Sequence, residues 1–295
     1  MLTLFTTPKP FVGHIAVIQR NALQSWRCLH PGVEVILFGN EEGAATVCHE
    51  LGISHVPEVR RNGYGTKYLA SIFDQAQELA THHVLCYANC DILLMGDFRR
   101  AVEAVSCLQK DFLLAGRRWD VDIRVPLDFQ RKGWEEAVRH LALQTNRQRP
   151  AQWIDYFVFP KGLYYQKAPG FVIGRPGWDN WLIWYALSAR AAVVDLSSDV
   201  YAVHQNHDYS YHPQGESGVW QGEEAQENYR LLENGRKFRT LKSAVYVLES
   251  GRLRANHARW LVLPARQLRG WFYGAWFSLL NLTRSIRHWL GLRKL

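Results

Sequence analysis

The sequence predicts an α/β domain built on a mostly parallel sheet with crossover helices. Three observations predict it. Short apolar runs rich in strand-formers alternate with longer stretches of helical periodicity from the first residues onward. One such run, inside His83–Met95 (HVLCYANCDILLM), is cut by Asn89-Cys90-Asp91, so a buried strand delivers a carboxylate at its carboxyl end. Open α/β sheets place their ligand chemistry at that position. The glycines after the first run do not follow G-x-G-x-x-G, which disfavours a dinucleotide-binding sheet.

Taken in order, Leu2–Phe5 reads as the first strand, and Thr6-Thr7-Pro8-Lys9-Pro10 as a stiff loop at the sheet's carboxyl edge. His14–Leu29 reads as a helix with Ile15, Ile18, Ala22 and Leu29 near one stripe, stopped by Pro31-Gly32. Val33–Phe38 is a second strand ending in Gly39-Asn40. Ala44–Leu51 is a short helix closed by Gly52, and Ile53–Val59 contains a third extended piece. Arg60–Lys67 is a polar loop with glycines at 63 and 65, which allow close backbone approach to a ligand; Arg61 and Lys67 could meet a pyrophosphate there. Thr66 opens a helix striped by Leu69, Ile72, Phe73, Ala76 and Leu79.

Beyond the central strand, Asp97–Leu108 reads as a helix and Phe112–Ala115 as a strand running into Gly116-Arg117-Arg118-Trp119-Asp120-Val121-Asp122. That cluster could grip a sugar through hydroxyl contacts and ring stacking; an Arg–Asp salt-bridge knot is the alternative. Pro126–Pro150 reads as a variable helical insert. Trp153–Pro160 is a strand carrying one acid, Asp155. The chain then breaks at Gly174 and Pro176-Gly177, and a helix begins with Trp178 and Asp179 at its start, where Asp is commonly an N-cap. Ala191–Leu196 is a buried strand, Val203–His212 holds three histidines, and Gly215–Gly222 reads as a mobile loop. Lys237, Arg239 and Lys242 read as a solvated basic face that could also touch phosphate.

These stretches together resemble GT-A-type glycosyltransferases, the superfamily that uses nucleotide-diphospho-sugar donors. Asn89 stands in the first place of the family's Asp-x-Asp motif and Asp91 in the second. The resemblance implies a GT-A-like (Rossmann-like) mixed, mostly parallel sheet flanked by helices, and a hexosyltransferase-like enzyme. It implies donor contacts at Thr6, Thr7, Pro8, Asn40, Arg61, Asn62, Gly65, Lys67, Asn89 and Asp91. It implies an acceptor side at Trp119, Asp120, Asp122, Asp155 and Trp178, with Asp179 as catalytic base. A histidine 25 to 30 residues after the base ligates metal in many such enzymes; His204 lies at +25 and His207 at +28. With Asp91 they would hold Mn²⁺ or Mg²⁺, and imidazole plus carboxylate suits Mn²⁺ somewhat better. Asn89 departs from the pattern, since an amide is a weaker ligand than a carboxylate. Two rivals stand beside this reading. A sugar-phosphate nucleotidyltransferase would want a glycine-rich basic loop after strand one, and this loop has one Lys and no Gly. A non-catalytic, membrane-associated nucleotide-sugar-binding protein is the other.

The formal charge of +8 is unevenly placed. Nine Lys or Arg and no Asp or Glu lie between Arg252 and Leu295, leaving 26 basic and 27 acidic residues in Met1–Gly251. The body is near neutral and shows no nucleic-acid footprint. Residues 1–252 are expected to form the transferase domain and 253–295 a basic tail. Wound as a helix, Pro264–Leu290 collects Arg266, Arg269, Arg284, Arg287 and His288 within an arc of about 60° of Arg266. Leu268, Trp271, Phe272, Leu279, Leu282, Ile286, Trp289 and Leu290 gather opposite. That pattern fits an amphipathic helix lying on an anionic membrane surface, and its apolar run is too short to span one. Five cysteines without a CxxC pair, and an N-terminus that enters a strand directly, point to a reducing compartment: cytoplasmic, peripheral on the inner face of a membrane. The sugar, nucleotide and acceptor are not named by the sequence.

Overall fold

The computed structural model describes residues 2–106, 111–209 and 212–259. The tail helix expected at 264–290 lies outside the described residues, as do Cys107 and Leu108. Alternation of side chains along the strands decides the architecture. In β1 (Leu2–Thr6), β2 (Glu34–Phe38) and β4 (Val84–Ala88), residues such as Leu4, Val35, Leu37 and Cys86 enter one buried cluster, while Phe5, Ile36, Phe38, Leu85 and Tyr87 enter a second on the other face. Strands buried on both faces read as continuous apolar runs, which is why these segments look so hydrophobic.

Helices cover both faces. α1 (Gly13–Cys28), α2 (Ala44–Leu51) and α4 (Gly96–Val105) pack on the first cluster through Leu23, Trp26, Val47, Phe98 and Val102. α3 (Leu69–Leu79) and α6 (Trp178–Ser188) pack on the second through Ile72, Phe73, Trp181 and Leu182. Phe5, Phe73, Tyr87, Phe159 and Tyr164 meet there at ring-centroid distances of 4.8 to 6.1 Å, a range in which aromatic pairs add to burial.

The main sheet runs β11-β10-β8-β6-β7-β4-β1-β2-β3. Here β3 is Ser54–Val56, β6 Phe112–Val121, β7 Ile154–Pro160, β8 Ala192–Asp195, β10 Tyr246–Glu249 and β11 Arg252–Ala255. Pairing is parallel except where β7 lies between β4 and β6 and where β11 closes on β10. The expected mixed, mostly parallel sheet flanked by helices is the one found. β11 carries the sheet across the expected boundary at 252, to Ala255.

Two elements differ from the expectation, and the insert at 126–150 is helical as expected. β6 does not stop at Ala115. Its register shifts between Ala115 and Arg117, and its second half leaves the main sheet to pair with β9 (Ala202–Gln205), which also pairs with the two-residue β5 (Ile92–Leu93). Gly116 permits this close passage, since a Cβ there would sit 2.1 Å from the Tyr156 hydroxyl. Gly215–Gly222 is no loop: α7 (Gly215–Gln221) fills it and α8 (Glu223–Leu231) follows directly. The insert at 126–150 holds α5 (Trp134–Thr145), whose trailing residues Arg147 and Arg149 bond the backbone of β6.

Candidate active site

The carboxyl ends of β1, β2 and β4, the loop before α6 and the N-terminal side of α7–α8 enclose one cleft of about 1260 Å³. Strand register builds its floor. Asp91 is the last residue before β5. β9 lies between β5 and β6, with His204 opposite both Ile92 and Asp120. Gln205, fully buried, fixes β9 to α1 and to the Asp91 carbonyl through its side-chain amide, which donates to Ile18 O and Asp91 O at 2.8 and 3.2 Å. Residues separated by more than a hundred positions thus meet because three short strands are paired.

Asp91, His204 and His207 each present a ligand-type atom, all within 4.8 Å of one another. His207 Nε2 is 3.2 Å and His204 Nε2 4.0 Å from Asp91 Oδ2. The other ring nitrogens each face an oxygen. His207 Nδ1 lies 2.7 Å from the Asp208 carbonyl, an acceptor only, so Nδ1 carries the proton. His204 Nδ1 faces Asp120 Oδ1 at 3.4 Å. His207 Nε2 is within hydrogen-bond distance of Asp91 Oδ2, and Asp91 Oδ1 is buried without a partner. One carboxylate and two imidazoles with supporting second partners form a donor set that fits a divalent cation, Mn²⁺ in particular. Burial alone would raise the Asp91 carboxyl. His204, His207 and Lys9 outweigh it and hold the group ionised, well below the usual carboxylate range.

Behind His204 stands a second charged layer. Arg118, 8% exposed, bonds Asp120 through Nε at 3.0 Å and Asp155 through Nη1 at 2.8 Å. Arg149 adds a 2.5 Å contact to Asp120. Burial works against the Asp120 carboxylate, but His204 and the arginines lower it to about 2. Asn89 donates to Asp155 at 2.6 Å and accepts from the Tyr87 hydroxyl at 3.1 Å. Its amide braces Asp155 where a first acid of the Asp-x-Asp motif would stand.

Asp179 lies across the same cleft, in the first turn of α6. Gly177, with φ +102°, is the N-cap residue, so Asp179 is not; its Oδ1 accepts from the Gly177 N–H at 3.2 Å. Burial, reinforced by Asp155, pushes its carboxyl up to about 7 against the opposing backbone N–H groups. A carboxyl that titrates near neutrality and lines a cleft suits a general base.

The remaining expected contacts divide. Thr7, Pro8, Arg61, Gly65, Lys67, Asn89, Asp91, Asp155, Trp178 and Asp179 line the cleft with both histidines. The Thr7 hydroxyl and Glu41 Oε2 are buried there without partners, which is what a polar ligand's cradle shows. Thr6 is buried beneath the wall. Arg61 and Lys67 are committed to Glu41 at 3.0 and 2.5 Å, and Arg61 also bonds Asn40, which does not line the cleft. Burial lowers the Lys67 ammonium to about 8 despite Glu41. Asn62 bonds Glu224 and borders a neighbouring hollow.

On the expected acceptor side, three residues do not reach the cleft wall. Trp119 stacks on Tyr201 at 5.7 Å in a small satellite core. Asp122 points outward, bonded to Asn206 with Arg147 at 3.8 Å. Asp120 lies behind His204. Because β6 continues as a strand, alternation sends 118 and 120 one way and 119 the other. The sugar grip expected of Arg118–Asp122 is an ion-pair knot. Lys237 pairs with Glu233 and lies over Trp184; Arg239 bonds backbone carbonyls beside α6.

Sequence reasoning passed over Lys9, Glu41, Arg149, Arg175 and Trp220. Lys9 had one signal, a lone cation between two prolines after β1. Arg175 pairs with Glu224, and Glu223 accepts from the Tyr64 hydroxyl, so α8 is fastened to the Arg60–Lys67 loop over the cleft. Trp153 lies 5.2 Å from Trp220, with Arg118 and Arg149 over its ring at 5.2 and 5.0 Å.

No protein-family model and no curated protein matches the chain. Among solved structures it is similar to glucosyl-3-phosphoglycerate synthase from Mycobacterium tuberculosis. In complex with Mg²⁺ and uridine diphosphate, that protein is 12% identical over 70% of this chain and 72% of its own, with a TM-score of 0.43. Another structure of the same synthase is 12% identical over 79% and 80%, with a TM-score of 0.47. The chain is similar also to S. aureus TarS 1–349, 9% identical over 69% and 60%, with a TM-score of 0.47.

Proposed function

We propose that this chain transfers a sugar from a nucleotide diphosphate sugar to an acceptor hydroxyl. The observation that carries the reading is convergence. A cation-type donor set, a carboxyl held near neutrality and unpartnered polar atoms at the carboxyl ends of the first strands share one cleft.

Asp91, His204 and His207 would hold a divalent ion. When bound, that ion neutralises charge on the leaving group. The Thr7–Pro8 loop and Glu41 receive the nucleoside. Asp179, as carboxylate, takes the acceptor hydroxyl's proton while that oxygen attacks the anomeric carbon. The bond from that carbon to the phosphate oxygen breaks, and the nucleoside diphosphate departs with the electron pair. Attack from the side opposite the leaving group inverts the anomeric centre. Asp155, braced by Asn89 and Arg118, borders the acceptor side with Trp178.

Association with a membrane surface through 264–290 belongs to the proposal and rests on the two-sided residue pattern alone. Among the described residues no helix is long and apolar enough to cross a membrane. Flotation of the full chain with anionic vesicles, compared with neutral ones, tests this part.

A thermal-shift screen of nucleotide sugars with and without Mn²⁺, followed by product analysis with the best donor, tests the reading. Turnover in wild type and none in Asp179→Asn is the expected result. Binding without turnover in both leaves a non-catalytic binding protein. Nucleotide transfer to a sugar phosphate identifies a nucleotidyltransferase.

A further inference from the structure

Lys9 stands where a cation should. Its Nζ is 2.8 Å from His207 Nε2 and 3.6 Å from Asp91 Oδ2. The His207 ring has its proton on Nδ1, facing the Asp208 carbonyl. Its Nε2 is thus already engaged, 2.8 Å from the Lys9 Nζ and 3.2 Å from Asp91 Oδ2. An imidazole nitrogen has one lone pair, so it cannot accept from an ammonium and bind a metal ion together. The same nitrogen is one of the three atoms of the ion site.

The backbone of Lys9 is held in place. Its N–H donates to Gln19 Oε1 at 2.7 Å, and Gln19 Nε2 donates to its carbonyl at 2.9 Å; Gln19 is 2% exposed, in α1. Prolines flank it on both sides. The chain at this point cannot retreat, but the four-carbon side chain can swing.

We infer that Lys9 is a resident counter-ion of the Asp91–His207 pair, and that a divalent cation enters the site only by displacing its ammonium. This rests on the ion site proposed above. It makes ion affinity a difference between two cations competing for the same ligands, and it assigns Lys9 a positioning role through His207.

The test is Mn²⁺ affinity of the full chain, read from the free-ion electron paramagnetic resonance signal at fixed pH and salt. Lys9→Met keeps the aliphatic stem and removes the charge; Lys9→Arg keeps a charged donor. Circular dichroism confirms folding, and Lys9→Gln replaces the Met variant should that one fail. Losing one charged hydrogen bond to the ligand nitrogen corresponds to Mn²⁺ binding about tenfold tighter in Lys9→Met. Lys9→Arg stays within about threefold of wild type on the same argument. A second readout follows the amine itself: Mn²⁺ raises acetylation of Lys9 by acetic anhydride, measured by mass spectrometry against the surface lysines. Equal or weaker Mn²⁺ binding in Lys9→Met, or acetylation of Lys9 unchanged by the ion, overturns the exchange and leaves the ion site standing. Absence of Mn²⁺ binding in every variant overturns the ion site, and the exchange with it.

Discussion

Asp91, buried, and Asp179, half-buried, line the same cleft, yet they are pushed in opposite directions. Asp91 is surrounded by His204, His207 and Lys9, which keep it ionised. Asp179 has no such cation beside it. Its neighbours are three backbone N–H groups, of Gly177, Asp179 and Asn180, and the charge of Asp155, and burial raises its carboxyl to about 7. Burial acts on both alike; the company each carboxyl keeps decides the sign. One group is thereby fitted to hold positive charge, the other to exchange a proton.

The sharpest way to break the contrast is to make the second carboxyl unable to accept a proton. Asp179→Asn should lower kcat by about 10²- to 10⁴-fold, while dissociation constants for the donor's nucleoside diphosphate and for Mn²⁺, measured calorimetrically, stay within about twofold. A large loss of binding would place Asp179 with the ion ligands instead. The reciprocal change, Asp91→Asn, should weaken Mn²⁺ binding by about 100-fold or more, since removing a ligand exceeds the cost of disturbing its support. Its melting curve in the absence of metal checks that the loss is local.

A smaller change probes the layer behind the ion site. Asp120→Asn leaves the shape and removes the charge facing His204 Nδ1, and should weaken Mn²⁺ binding by about 10- to 100-fold. Nitrogen chemical shifts of the histidine rings would report whether the His204 tautomer has changed.

The smallest effect is in pH. The Asp179 carboxyl is higher folded than unfolded, so its contribution to stability is complete below about 4 and disappears as pH rises through about 7. Asp179→Asn should therefore gain stability relative to wild type between pH 6 and 8, by roughly 1–2 kcal/mol after allowance for the open cleft. Over the same interval kcat/KM of wild type should rise towards a plateau. A flat profile in both measurements would mean that Asp179 is an ordinary carboxylate.

How far the sequence carried differs between these regions for physical reasons. The strands around Asp91 were legible because strands buried on both faces are continuous apolar runs, and the histidines because imidazoles cluster visibly after β8. Asp179 was legible from the Gly-Pro-Gly break ahead of α6. What failed was whatever depended on pairing between distant segments. Gly116-Arg117-Arg118 looks like the end of a strand, and only β9, some 80 residues on, shows that the strand continues. Without that pairing, Trp119, Asp120 and Asp122 read as one cluster, when alternation sends Trp119 to a satellite core and Asp120 to an ion pair, and Asp122, past the end of β6, lies at the surface. The glycines at 215, 218 and 222 suggested a loop. Val219 and Ala225 pack inward and keep the segment helical. Arg149 was invisible because its role depends on α5 folding back on β6. The tail pattern, legible as it was, falls on residues outside those described.

The bend of β6 at Gly116 has an evolutionary corollary. Upstream of it the strand is scaffold; downstream it is wiring for Asp120 and Arg118. A methyl at 116, or one residue inserted there, would turn the downstream half by a step while the upstream half kept its place. Such a lesion would produce an abundant, correctly shaped protein that has lost its chemistry, and a genetic screen for silent but well-expressed alleles should return this position repeatedly.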